Sequence, residues 1–450
     1  MLLSFGGLVL AFLFTGFASR IYHARRRALA ESWFKRGTSE LQAGRYGLAL
    51  NDFQTALIYG RGNVPDAQLQ IYELDFSKAL AATSHPEEAR AYLLDLWERQ
   101  PGSGEINLEL ARLAVRAGDD MEVKRYYNAA IYGIWEGDAS QVAASRRETR
   151  LELFHYLAQR NEITNAQSVL MAIAAGLQPD ASAELRAQLG DLMLETGDAS
   201  AALAQYEQAL RIHPSDRAAL TGAGLASFAL GDDRGAAHFL GEASRAQAQS
   251  AQTRQNPPEA ADSRPSPAHD GAQPAAPRMT KDIANEAVAR KDLAIAEAVL
   301  ALDPYEARLD VAGRARRAAK SYEAAMSRLV DCAKSQGVPV PAYAAGRRAS
   351  LPGGPGTANA QSTANAQSTA NGGTRALASA DELAMLYDKA MRSQKIVREA
   401  DLQRHPERIE PIMETVFDIE NTVTRRCGPP VRAEDAALTR IARRVGNARS

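Results

Sequence analysis

Two cysteines, Cys332 and Cys427, offer the sequence its one route to a covalent cross-link. Both stand where a helix must stop. Cys332 comes shortly before Gly337, Val338 and Pro339, and Cys427 directly before Gly428, Pro429 and Pro430. Helix ends in an antiparallel bundle gather at two poles, so the pair is expected within the roughly 4.4–6.8 Å Cα separation of a bridge. Two unrelated buried thiols are the alternative. A bridge over so long a loop would stabilise the fold by about 4–5 kcal/mol through lost chain entropy. It would persist only outside a reducing cytoplasm.

The other reactive side chains form no constellation. The histidines are His23, His85, His155, His213, His238, His269 and His405, and none stands at helical spacing from a second histidine or a carboxylate pair. There is no HExxH, no Cys-x-x-Cys and no Walker loop. Gly222 and Gly224 imitate the start of a dinucleotide fingerprint, but close helix packing explains them. Pairs such as Asp119 with Asp120 and Asp232 with Asp233 suit turns, where aspartate bonds its own backbone. The glycines of 352–356 follow no strand and open no helix, so they make no phosphate loop. Catalytic residues, a metal site, a cofactor and a small-molecule substrate are therefore not expected. An enzyme or regulator would have to reside in the C-terminal helices.

The elements that carry these residues are helices. A chain of 450 residues suggests about three domains. With 53 basic against 54 acidic side chains there is no bulk field for nucleic acid. Aromatic content is only 6%, and the Val/Ile/Thr alternation of strands is missing over long stretches. An all-α protein with small residues at its packing contacts is expected.

A repeat gives that expectation its phase. Ala49, Ala89, Val123, Ala166, Ala202 and Ala236 align, each followed four residues later by Phe53, Leu93, Tyr127, Leu170, Tyr206 or Leu240. Three further on stand Ala56, Leu96, Ala130, Ile173, Ala209 and Ala243, and twelve before the first set Gly37, Ser77, Ala111, Phe154, Gly190 and Gly224. Inserts lie near 61–66 and 137–145. Gly44, Gly118, Gly197 and Gly231 are placed to close the first helix of a hairpin, where positive φ is needed. Pro101 and Pro214 stop the second. The run from Trp33 to Leu57, with Gly37, Gly44, Tyr46, Ala49, Phe53 and Ala56, resembles a tetratricopeptide repeat. So does Ala183 to Pro214, through Leu189, Gly190, Gly197, Ala202, Tyr206 and Ala209. The resemblance covers about 30–247 as six repeats, of which the second to fourth are degenerate. It implies a solenoid whose concave face, lined by the first helix of each hairpin, cradles a peptide or helix of a protein partner. The positions so implied are Phe34, Thr38, Leu41, Leu74, Lys78, Leu108, Arg112, Arg116, Leu151 and His155, an apolar floor with basic spots. Thr38, Lys78 and Arg112 stand where carboxylate-gripping members carry Asn, so chaperone-tail binding is not expected.

The chain divides at its composition shifts. Residues 1–19 are uncharged after the start and about long enough for a transmembrane helix, with a cleaved signal peptide or a buried core helix as the alternatives; 20–29 form a basic juxtamembrane segment with Arg20, Arg25, Arg26 and Arg27. The solenoid fills 30–247, a disordered linker 248–278, a helical pair 279–337 and a low-complexity linker 338–379. Helices at about 381–403, 410–426 and 433–445 complete a C-terminal bundle within 380–447. Basic residues flanking a span stay cytoplasmic, which favours a single-pass bacterial inner-membrane protein with lipid contact through its anchor and a cytoplasmic body. A periplasmic body is the alternative, and the cysteines pull towards it. The expected function is a membrane-tethered scaffold for protein–protein interactions in bacterial envelope assembly, or, facing the periplasm, for secretion, pilus or cell-wall machinery.

Overall fold

Small residues at fixed phase let helices pair closely, and the computed structural model, which describes residues 2–255, 276–338 and 373–449, is built from such pairs. The chain divides into two compact units, Met1–Pro179 and Asp180–Ser450. Among the described residues the regular structure is helical, with one isolated bridge between Ser103 and Ile134.

The first unit holds four hairpins: α1 (Leu2–Gln42) with α2 (Tyr46–Gly60), α3 (Asp66–Ala82) with α4 (Pro86–Arg99), α5 (Gly104–Ala117) with α6 (Asp120–Tyr132), and α7 (Ala139–Gln159) with α8 (Ile163–Ala175). The second begins with two more, α9 (Ala183–Glu195) with α10 (Ala199–Ile212) and α11 (Arg217–Leu230) with α12 (Asp233–Gln255). The phase is the expected one: Ala49, Ala89, Val123, Ala166, Ala202 and Ala236 are all 0% exposed. Glycines supply the close approach. A Cβ at Gly37 would lie 2.8 Å from the Phe53 ring, one at Gly190 2.8 Å from the Tyr206 ring, and one at Gly224 2.4 Å from Leu240 Cγ. The insert at 137–145 lengthens α7 at its start, where Asp138 and Gln141 form a capping box.

Each hairpin turns through one left-handed residue. Gly44, Gly118, Gly197 and Gly231 have φ of 72°, 75°, 83° and 85°; Ser84 (66°) and Asn161 (60°) do the same in the second and fourth hairpins. In all six, the next N–H donates to the carbonyl five residues back: Arg45 to Glu40, His85 to Leu80, Asp119 to Ala114, Glu162 to Leu157, Asp198 to Met193 and Asp232 to Ser227. This closure satisfies carbonyls that the helix end would leave bare.

The anchor expectation is corrected. Among the described residues no helix is long and apolar enough to cross a membrane, so the single-pass inner-membrane assignment and the lipid contact fall. The basic flank is also not free. Arg26 donates to the Ile58 carbonyl and Arg27 to that of Asn63, each at 3.0 Å, so these arginines fasten α1 to the end of α2 and to the turn after it.

The rest of the second unit comprises α13 (Ala276–Leu302), α14 (Val311–Ser335), α15 (Gly373–Ser393), α16 (Glu399–Arg404), a 3-10 turn (Pro406–Arg408), α17 (Ile409–Cys427) and α18 (Ala433–Arg449). The linkers expected over 248–278 and 338–379 are helical at their described ends, to Gln255, from Ala276 and from Gly373; 256–275 and 339–372 lie outside the described residues. The single helix expected over 381–403 is two, α15 and α16, and the break brings both Val397 and Leu402 into the core. Ile412, Val416, Ile419 and Val423 line one face of α17 and are buried, and α17 packs on α14. This brings Cys332 and Cys427 together as a disulfide with Cα atoms 5.8 Å apart. α18 packs on α13, although residues 303–432 separate them, and Phe228 of α11 joins the same core.

Candidate functional site

The first helices of the hairpins in the first unit carry every partner-binding position expected from the sequence. Their side chains do less free work there than the sequence suggested. Phe34 stacks on Tyr72 with ring centroids 4.2 Å apart and leans on Phe53 at 5.6 Å, so it packs the first hairpin against the second. The Thr38 hydroxyl donates back to the Phe34 carbonyl at 3.0 Å. Leu74 and Leu108 are buried, Leu41 and Leu151 half-buried, and His155 is exposed with its ring edge-on to Phe154. The apolar floor is thus largely interior.

Carboxylates meet two of the basic positions. Lys78 Nζ donates to Asp75 Oδ1 at 2.9 Å and to Glu105 Oε1 at 2.6 Å. Burial alone would lower this ammonium, but Asp75 and Glu105 outweigh it and hold its pKa well above the usual lysine range. Arg112 forks onto Glu152, Nη2 to Oε1 at 2.5 Å and Nε to Oε2 at 3.0 Å, and reaches Glu109 with Nη1 at 2.6 Å. The Glu152 bond chiefly raises its pKa. Burial pushes the Glu109 carboxyl up, against the pull of Arg112 and Lys78. The Tyr127 hydroxyl donates to Glu152 at 3.3 Å, and Arg116 donates to the Ala81 carbonyl at 2.6 Å.

These pairs link consecutive hairpins. Lys78 of α3 reaches α5, and Arg112 of α5 reaches α7. On the second helices, Arg90 of α4 pairs with Glu122 of α6 at 2.9 Å, and Lys124 of α6 with Glu162 just before α8 at 2.7 Å. The acidic partners escaped the sequence reading, yet a signal was present. Each of the four basic residues directly follows the aligned small residue of its helix: Ser77, Ala111, Ala89 and Val123.

A second feature, not anticipated from sequence, is a cleft of about 420 Å³ in the second unit between α9, α11, α12 and α13. Its polar groups are largely spoken for. The Tyr206 hydroxyl donates to Asp191 Oδ1 at 2.6 Å. Glu286 accepts from Arg290 at 2.6 Å and from Gln247, and these bonds, Arg290 first, lower its pKa. Gly222 lies against the Tyr206 ring, where a Cβ would come within 2.2 Å of Cζ, so packing accounts for the glycine pair at 222 and 224. Among the described residues no group of three or more His, Cys, Asp or Glu is placed to hold a metal ion.

No protein-family model and no curated protein sequence matches the chain. Solved structures do. The Pseudomonas aeruginosa protein PilF is similar at 12% identity over 52% of this chain and 95% of its own, with a TM-score of 0.33. A thermophilic TPR protein of Thermus thermophilus is similar at 22% identity over 45% and 98%, TM-score 0.27. The C-terminal part of a TPR repeat-containing protein from Cytophaga hutchinsonii is similar at 11% identity over 61% and 97%, TM-score 0.36. The six in-phase hairpins and their left-handed turns themselves make this chain a TPR-like helical repeat.

Proposed function

We propose that the chain is a non-catalytic scaffold that binds a protein or peptide partner, and that the partner lies along the first helices of the four hairpins in the first unit. One observation carries the reading: Lys78–Glu105 and Arg112–Glu152 pin α3 to α5 and α5 to α7, so the surface is set before any partner arrives. A preorganised surface loses less entropy on binding. Spent charges cannot serve as general acids or bases without breaking the stack. Phe34, Thr38, Leu41, Leu74, Lys78, Leu108, Arg112, Arg116, Leu151 and His155 build this face, and its half-buried and exposed side chains, Leu41, Leu151 and His155 above all, reach the partner.

A photo-crosslinking residue at Leu41, Leu151 or His155 tests this, with the same residue at Met121, 82% exposed on the second helix α6, as control. The expected result is one common partner from the three test positions and none from Met121. Equal labelling from Met121 moves the site off this face.

A further inference from the structure

The disulfide lies beside a buried cluster of charge. Arg328 of α14, one turn before Cys332, forms ion pairs with Glu420 of α17 and Asp435 of α18, the latter at 3.9 Å. It also donates to Thr424 Oγ1 at 3.1 Å and to the Gly428 carbonyl at 3.2 Å, next to Cys427. Arg432, just ahead of α18, pairs with Asp435 at 3.0 Å and with Asp331 at 3.7 Å. Three carboxylates therefore share two guanidiniums. Glu420 and Asp435 are both buried, and Glu420 Oε1 has no hydrogen-bond partner. Desolvation of such a group favours opening to water, and opposing it takes a constraint.

That pole also fixes α18. Beyond the cluster, Arg440 stacks its guanidinium 4.0 Å over the Phe228 ring and donates to Asp233 Oδ1 at 2.7 Å, and Arg444 pairs with Asp303. α18 packs on α13, and Ile295, Val299 and Leu302 of α13 lie in one core with Ala437, Leu438 and Ile441 of α18.

We propose that the Cys332–Cys427 bridge is a redox latch: it holds the Arg328, Glu420 and Asp435 cluster closed, and its reduction undocks α18 and bares the apolar side of α13. The two sulfurs are unequal in a way that permits this. Cys427 is exposed, whereas Cys332 is 4% exposed. A thiolate of a dithiol reductant attacks Sγ of Cys427; the S–S bond breaks, and Cys332 leaves as a thiolate and takes up a proton. The reductant's second thiol then displaces Cys427, which is protonated in turn. Two electrons and two protons pass to the cysteines, and the reductant becomes a cyclic disulfide. Water then reaches Glu420, Arg328 loses the Gly428 carbonyl, and the short connection 428–432 no longer presents α18 to α13.

Hydrogen exchange of the full chain, with and without dithiothreitol, tests the latch. The chain contains 2 cysteines, so the reagent has one bond to act on. Reduction is expected to speed exchange across 433–445 by about tenfold or more and to leave α9 and α10 unchanged. Unchanged exchange in α18, or an equal rise through the whole second unit, overturns the proposal. The double variant Cys332→Ser/Cys427→Ser should exchange like the reduced chain and ignore the reagent. At pH 8, where Glu420 is ionised, Glu420→Gln removes the excess charge while keeping the shape, so on reduction its α18 should open at least several-fold less. If it opens as widely as the parent, the buried charge does not drive the release.

Discussion

Alanine in place of Gly222 sets two effects of opposite sign against each other. In a helix interior alanine is favoured over glycine by about 1 kcal/mol, so propensity predicts a more stable chain. The site predicts the reverse. The new methyl would stand 2.2 Å from Tyr206 Cζ, and an ordinary carbon contact is about 3.5 Å, so something must give by about 1 Å. Little can. The Tyr206 ring is fully buried, it also lies against Gly190, and its hydroxyl is tied to Asp191 at 2.6 Å. Overpacking of this kind costs about 1–3 kcal/mol, and after the propensity gain a net loss of about 1–2 kcal/mol remains. Urea unfolding of the full chain, followed by far-UV circular dichroism, measures it. Gly241→Ala is the control on α12, where the nearest atom to a new Cβ is the tip of Arg245 at 3.6 Å. That variant should gain up to about 1 kcal/mol. Adding Tyr206→Leu to Gly222→Ala should cost less than the sum of the two changes, with a coupling of about 1 kcal/mol or more. If Gly222→Ala is as stable as Gly241→Ala, the ring is not wedged between the fifth and sixth hairpins and the packing argument fails.

Ser84→Gly should raise the unfolding midpoint, because a left-handed serine costs about 1–2 kcal/mol and glycine's greater chain entropy returns only part of that. Asn161→Gly should gain less, since asparagine tolerates this conformation. Arg112→Ala should lower stability by roughly 1–3 kcal/mol, with Arg112 41% exposed and Glu109 buried without its partner. For the same reason Lys78, Arg112 and Arg116 cannot be replaced together without loss of melting temperature. Burial, joined by the charge of Asp435 and opposed by Arg328 and Arg432, raises the Glu420 carboxyl from 4.5 to about 7. The folded chain then holds a proton that the unfolded chain has lost between these values. The contribution is complete below pH 4.5 and gone above about pH 7, so stability should fall as pH rises across that window. A loss on the order of 1–3 kcal/mol is expected, absent from Glu420→Gln; parallel pH profiles for parent and variant would refute it.

What was legible in the sequence was whatever repeats. Ala49 through Ala236 announce the hairpins because each must admit a neighbouring backbone, and a demand made six times leaves six matching residues. The turns were legible only where glycine meets the demand. Ser84 and Asn161 adopt the same positive φ, but serine and asparagine are ordinary surface residues and carry no mark of it. The N-terminal run misled because an uncharged stretch was read as a span, whereas among the described residues no helix is long and apolar enough to cross a membrane. The pairing of α13 with α18 was out of reach for a different reason. Neither stripe names its partner, and residues 303–432 intervene. The two cysteines were placed together by the helix-end argument, and in the fold Leu329 and Val423 share one core beside them.

The charges on the proposed binding face follow the same logic and change what that face can select. Lys78 and Arg112 on that face, like Arg90 and Lys124 on the second helices, come directly after an aligned small residue, so each leaves its helix towards the next hairpin. Their partners Glu105, Glu152, Glu122 and Glu162 do not recur at one offset, because inserts stretch the repeats unequally. The sequence therefore displayed the cations and hid the anions. With both in place, a partner that meets Lys78 or Arg112 must displace a carboxylate already bonded there, and it gains little net energy by doing so. Selectivity must then come from side chains that face solvent without such a bond or are only half covered. On these helices that means Leu41, Ile71, Leu151 and His155. An apolar partner segment suits such a surface better than an acidic one, and added salt should weaken its binding little.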